Sequence, residues 1–337
     1  MTKLSCARCA RQLRRFKQMK TLQLIIFPLL LQCTAFADDV IRGEDHFEFS
    51  YRATLPRLDG KAEIWLPLAK SDAFQTVDVE RISLPAGWRK IEDRDYKNEI
   101  VALTLDPAEG GKSIEVDYKV LRHEKASYPA AGDTARFLQA ERLVPQNATF
   151  VSLARDATLG KTTVLECGHA LYDHVLARMK YDKSGNGWGR GDAVYACDAR
   201  AGNCTDFHSY FIALARAAGI PARFAIGFTI PSDADDGKII GYHCWAKFFA
   251  DGKWVPVDIS EAWKNPPLAD YYFGHHPANR FELSQGRDLL IEPKPASGPI
   301  NFLVYPLLEI AGKPVKMETE FSFHRVKLNQ PKTAQTH

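Results

Sequence analysis

The chain reads as an α+β protein, and three observations carry that reading. Residues 40 to about 125 hold short alternating strands set off by turn residues, the pattern of a β-sandwich. Beyond Tyr128-Pro129-Ala130-Ala131-Gly132-Asp133, a linker-like run, the apolar period lengthens to that of helices. From Arg223 onward, strand patterns return around the hairpin signal Asp251-Gly252.

Each element has its own justification. In the first third, Asp45 to Tyr51 alternates, with Phe47, Phe49 and Tyr51 on one face. Ala62 to Leu66, Thr76 to Ile82, Ile100 to Leu105 and Ser113 to Val120 are further strand runs. Leu58-Asp59-Gly60, Pro85-Ala86-Gly87 and Glu109-Gly110-Gly111 supply turns between them. No catalytic constellation occurs there, so residues 38–128 read as a β-sandwich-like module for packing or substrate orientation. Residues 129–310 read as the catalytic part, and 311–337 as a final strand, Lys316 to Val326, with a tail.

Leu165 to Met179 has a helical apolar stripe. His169 and His174 lie in it five apart, not the i, i+4 pair that suits a metal, and read as ordinary helix residues. Asp182 to Gly187 opens like a calcium loop. Arg190 and Ala193 then fall at the ninth and twelfth positions, where ligands are needed, so a glycine-rich surface loop is the better reading. Trp188 in this loop is a candidate wall of a substrate cleft.

Composition bounds the function. The chain has 337 residues, long enough for two domains at about 100–200 residues each. It is 45% hydrophobic and 25% charged, with a net charge of only +3, which argues against nucleic-acid binding. Lys17 and Lys20 precede the apolar run Leu22 to Leu31, and Ala35-Phe36-Ala37 forms an A-x-A cleavage pattern. Residues 1–37 therefore read as an export signal, with Met19 a second candidate start and Cys33 a poor fit to lipidation after Gln32. The apolar run is short against the roughly 20 residues of a membrane span. The expectation is a periplasmic or secreted protein without stable membrane insertion.

Cleavage would leave Cys167, Cys197, Cys204 and Cys244. A Cys167–Cys197 bridge is open on sequence grounds. Gly202-Asn203 is a turn signal directly before Cys204, and Phe207, Tyr210, Phe211, Leu214, Ala217 and Ala218 follow at helical spacing to Gly219 and Pro221. Cys204 is thus expected at a helix N-terminus, where the dipole favours a thiolate and free amides face an oxyanion. If the hairpin closes on Asp251-Gly252, Ala250 faces Lys253 and Trp245 falls opposite Asp258, on a strand running from Lys253 to Ile259. His243 and Asp258 become diagonal neighbours about 7–8 Å apart at the backbone. Cys204, His243 and Asp258 are the candidate nucleophile, base and orienting carboxylate. Cys244 points to the other face, toward the core.

Each has a plainer reading: a buried or disulfide-bonded Cys204, a core His243, Asp258 as a strand-end cap. Zinc on Cys197, Cys204, His208 and His243 lacks an anchoring C-x-x-C pair. No cofactor and no metal is called for. Downstream, Tyr271 to Arg280 is dense in aromatic and polar groups, and Arg280 is a candidate for binding a substrate carboxylate or for a surface loop contact.

Gly202-Asn203-Cys204, Leu214 to Arg223, His243-Cys244-Trp245 and Trp254 to Asp258 together resemble the bacterial transglutaminase-like domain over roughly residues 135–290. The resemblance implies a papain-like α+β core, preceded by a β-domain of the kind that often comes before such cores. It implies chemistry on an amide or peptide carbonyl through an acyl-enzyme thioester. A peptidase or amidase acting on peptide or protein, cell-wall peptide included, is the leading expectation. Transfer from a glutamine side chain to an amine, and a silent binding module, are the alternatives. The second oxyanion donor has no assigned residue; Trp188 is the only suggestion.

Overall fold

In chain order, β1 (Glu44–Thr54), β2 (Ala62–Leu68), β3 (Gln75–Ser83), β4 (Arg89–Glu92), β5 (Glu99–Leu105) and β6 (Ser113–His123) come first. The computed structural model describes residues 40–130 and 132–327, so the expected export signal and the last residues of the tail lie outside the described residues. After the two-residue β7 (Tyr128–Pro129) come α1 (Ala148–Ala157), α2 (Val164–Arg178), β8 (Lys180–Tyr181), α3 (Ala193–Ala199) and β9 (Ala201–Gly202). Next are α4 (Cys204–Ala217), β10 (Ala222–Thr229), β11 (Asp236–Ile239), β12 (His243–Ala250) and β13 (Lys253–Val257). The chain continues through α5 (Ile259–Lys264), α6 (Ala269–Tyr272), β14 (Arg280–Gln285), β15 (Leu307–Ile310), β16 (Lys313–Val315) and β17 (Glu318–Arg325). No helix among the described residues is long and apolar enough to cross a membrane.

Three five-stranded sheets organise these elements, in the orders β11-β17-β1-β6-β3, β14-β10-β12-β13-β7 and β16-β15-β2-β5-β4. The first strand alternates as expected: Phe47, Phe49 and Tyr51 are buried, and their partners across the ladder are Arg325, Phe323 and Phe321 of β17. The strands read over residues 38–128 therefore do not close on themselves. Two of the three five-stranded sheets are completed by strands from beyond residue 128: β11 and β17 in one, β15 and β16 in the other. The physical reason is burial. The apolar face of β1 packs on the middle sheet, with the Phe49 ring 5.0 Å from Phe228 and 4.9 Å from Phe281. A second cluster, including Ala53, Ile64, Leu105, Ile114 and Leu308, joins the outer two sheets.

α4 forms because Asn203 caps it, accepting from the Thr205 amide while Asp206 reaches back to the Asn203 amide. Residues 204 to 216 are all buried, so α4 is a core helix with no polar stripe, and the other elements wrap it. Its contact with the middle sheet runs through Phe211 and Phe248, whose rings are 5.9 Å apart. α2 starts on a second capping box, Thr163 with Glu166.

One close approach in the middle sheet is strict. At Gly227 on β10 a Cβ would fall 1.8 Å from the Phe281 carbonyl oxygen of β14, at a register irregularity next to Ile226. Only glycine fits against backbone this close. Gly227→Ala is expected to destabilise the protein by about 3 kcal/mol, read as a fall in the urea midpoint. A loss well under 1 kcal/mol would mean that β14 does not lie this near.

Candidate active site

The N-terminus of α4 presents Cys204, whose residue is 1% exposed. Two features hold it there. At Gly202 a Cβ would meet the Asp206 carboxylate oxygen at 2.4 Å, so the turn into the helix admits only hydrogen. The Asp206 carboxylate accepts from the Asn203, Gly189 and Gly191 amides at 2.9, 2.7 and 3.1 Å, which ties the glycine-rich loop to the first turn of α4. Burial raises the Asp206 carboxyl to about 6 against these hydrogen bonds.

Burial pushes the Cys204 thiol up as well. Hydrogen bonding to Cys244 and His243, with the nearby His243 charge, outweighs it and holds the thiol well below its usual range. As the first residue of α4, Cys204 also has an amide without an intrahelical acceptor.

The hairpin meets expectation up to its end. Ala250 pairs with Lys253 across Asp251-Gly252, and the ladder runs to Ala246 opposite Val257. There β13 stops. Asp258 leaves the ladder at φ −132° and ψ 82° to cap α5, and Ile259 belongs to that helix rather than to the strand read from sequence. This combines the capping reading of Asp258 with the orienting one. Its Oδ1 accepts from the Glu261 amide and the Ser260 hydroxyl, each at 3.2 Å. Its Oδ2 receives His243 Nε2 at 2.6 Å.

The His243 ring is buried, which disfavours its charge, yet Asp258, the Cys204 thiol and Glu261 push its pKa up to about 9. Asp258 in turn is held well below the carboxylate range: burial opposes this, and His243, His208 and Arg280 outweigh it.

Other expected residues take different places. Arg280 is neither exposed nor in a loop. It opens β14, is 1% exposed, and sets its guanidinium 3.5 Å from Asp258 Oδ2, where it neutralises the carboxylate and is not open to substrate. Trp188 is half-buried in the loop tied to Asp206, beside Gly189, whose carbonyl accepts from the Tyr242 hydroxyl at 3.4 Å. Cys244 does face the helices, as the strand alternation requires, and this puts its thiol beside Cys204 and 3.6 Å from His208 Nδ1. Cys167 and Cys197 are free thiols, not a bridge.

Sequence reasoning weighed His208 only as a zinc ligand and gave Tyr242 no role. His208 follows Cys204 by four residues, hence on the same helix face, and that spacing was the available signal. Its Nδ1 donates to the Cys204 carbonyl at 2.8 Å and its Nε2 accepts from the Ile259 amide at 3.1 Å, so the neutral ring pins the start of α4 to the start of α5. Burial is the first cause holding His208 below the usual histidine range, which fits that tautomer. The Tyr242 hydroxyl accepts from Asn203 Nδ2 at 2.9 Å and lies at the same helix end. No strand or helix pattern marks it.

His243, Asp258 and Glu261 place ligand-type atoms within 4.8 Å of one another. The His243–Asp258 hydrogen bond and the Arg280 charge on Asp258 oppose a cation there.

A buried cysteine on a helix end, set against a strand whose histidine is hydrogen-bonded to an aspartate just past the next strand, is the layout of a papain-like thiol enzyme fold. Residues 151–259 match the model of the transglutaminase-like superfamily core, and this segment is a domain of that superfamily. The chain is also 28% identical over 323 residues to an uncharacterized protein of Haemophilus influenzae, covering 80% of this chain and 86% of the relative. The crystal structure of a candidate cysteine protease from Cytophaga hutchinsonii shares its fold. That match has a TM-score of 0.54 at 17% identity and spans 86% of this chain and 92% of the other.

Proposed function

We propose that the protein is an exported thiol peptidase or amidase in which Cys204 is the nucleophile, His243 the general base and acid, and Asp258 the orienting carboxylate. The observation that carries this reading is the 2.6 Å His243–Asp258 hydrogen bond beside a thiol held well below its usual range. With Nε2–H committed to Asp258, Nδ1 is the ring nitrogen free to serve sulfur.

The Cys204 thiolate attacks the amide carbon, and the carbonyl π pair moves onto oxygen near the N-terminal amides of α4. The carbon–nitrogen bond then breaks, and Nδ1–H protonates the leaving nitrogen. Neutral His243 next takes a proton from water as the water oxygen attacks the thioester. Collapse breaks the carbon–sulfur bond and returns the thiolate and imidazolium. An amine in place of water would give transfer by the same steps. The basic and apolar lead with Ala35-Phe36-Ala37 supports action outside the cytoplasm, on peptide or protein there.

Incubating the mature protein with a peptide library and a labelled primary amine, wild type beside Cys204→Ala, tests the reading. Cleavage lost in the variant is the expected result; incorporation of the amine would redirect the reading to transfer. Neither activity, together with Cys204 inert to a thiol alkylator, would overturn both.

A further inference from the structure

Among the described residues three helices start on a cap-x-x-carboxylate spacing, and one of them departs from the rule. In α2 and α4 the third-position carboxylate turns back to the cap's own amide: Glu166 accepts from Thr163 at 2.9 Å and Asp206 from Asn203 at 2.9 Å. In α5 the spacing Asp258-x-x-Glu261 is the same, but the Asp258 amide already donates to the Tyr272 carbonyl at 3.0 Å. Glu261 is thereby released from capping. Its Oε1 stands 3.8 Å from His243 Nδ1 and 2.7 Å from Lys264 Nζ, with 17% of the side chain exposed.

We propose that Glu261 is a positioning residue for the base, holding the cysteine-facing edge of the His243 ring while Asp258 holds the far edge. At 3.8 Å the contact is one of charge rather than a hydrogen bond, and it leaves Nδ1–H free to face sulfur or the leaving nitrogen. Its value lies in timing. In the resting protein the imidazolium has the Cys204 thiolate for company, but acylation consumes that anion. Asp258 and Glu261 are the two carboxylates that remain, so the ring keeps its place and its basicity for the proton transfer that releases the acyl group. The inference rests on the thiol-enzyme reading above.

The charged surroundings are mixed. Asp258 and Glu261 approach from the start of α5, Cys204 and the neutral His208 from α4, and Arg280 from β14 opposes the carboxylates. Lys264 partly cancels Glu261, which predicts effects of opposite sign from the two.

The test is an NMR titration of the His243 ring, assigned by its loss in His243→Gln, in wild type, Glu261→Gln and Lys264→Met. Removing Glu261 should lower the titration midpoint by about 0.5–1 pH unit, and removing Lys264 should raise it by a similar amount. A glutamate with a merely structural role would change thermal stability and leave both midpoints alone, and that result overturns the proposal. Should Glu261→Gln not fold, the Lys264→Met shift decides it alone. The titration needs no substrate. Unmoved midpoints in an active enzyme defeat this inference only; moved midpoints without turnover defeat the proposed function.

Discussion

His243→Gln is expected to cost as much turnover as removing the thiol itself, about 10⁴-fold or more, because a nucleophile and its base fail as a unit. The argument is electrostatic. Burial raises the Cys204 thiol, and its descent well below the usual range depends on the hydrogen bonds and charges that His243 and Cys244 supply. Without the imidazolium, Cys244 alone cannot offset burial, and Cys204 should be a protonated thiol at neutral pH. Alkylation of Cys204 followed by mass spectrometry checks this without a substrate: the rate at pH 7 should fall steeply in His243→Gln. An unchanged rate would place the activating charge elsewhere.

The ion pair also sets a pH window. The His243 pKa of about 9 lies above its value in the unfolded chain. The stability it adds is therefore complete below the ordinary histidine range and is lost as pH rises through about 9.

The second large effect falls on stability. Glu282, in β14, is 4% exposed and stands 3.4 Å from Lys125 and 3.6 Å from Lys247. Trp245 Nε1 donates to it at 3.3 Å, two residues along β12 from His243. The Gln75 side chain of β3 meets its backbone on both sides, donating to its carbonyl and accepting from its amide. Glu282→Leu removes the buried anion that Lys125 and Lys247 share, both 1% exposed, leaving Lys125 only Asp72 at 3.7 Å, with buried Arg122 nearby. About 3–5 kcal/mol of stability should go with it, measured by urea denaturation. Burial pushes the Glu282 carboxyl up, but Lys125, Lys247 and Arg122 hold it well below the usual range. Its folded pKa is therefore depressed. Its contribution is full above the unfolded value of about 4.3 and drains as pH falls toward the folded one. Glu282→Leu should flatten that acid limb, and a variant as stable as wild type would show the cluster to be dispensable.

Much of the site was legible because it is local. A turn before Cys204, a capped apolar helix and a two-residue hairpin each depend on neighbours within about ten positions. The hairpin register carried His243 to Asp258 without further information, since side chains alternate along a strand. What was not legible depends on distant partners. Arg280 follows a run of aromatics and histidines that reads as loop, and only pairing with β10 makes it the buried start of a strand. Glu282 and Gln75 meet from positions 207 apart. Glu261 drew no notice in the sequence, and the Tyr272 carbonyl that frees it from capping is not a local pattern. Five of the six strands from β1 to β6 were legible one by one, β4 being the exception, and the strand at Lys316 to Val326 was legible too, but not its pairing with β1.

That partner has a consequence for how the protein comes into being. β1 pairs along most of its length with β17, at nearly the opposite end of the described chain, and Phe321 of β17 packs on both Phe49 and Phe228. Closing so long a loop costs entropy that is repaid only when both strands are present. The sheet that backs β10 and β14 therefore cannot be finished until β17 has been synthesised and is free to dock. An amino-terminal fragment ending before residue 318 would hold every candidate catalytic residue and still lack the strand that completes the backing sheet.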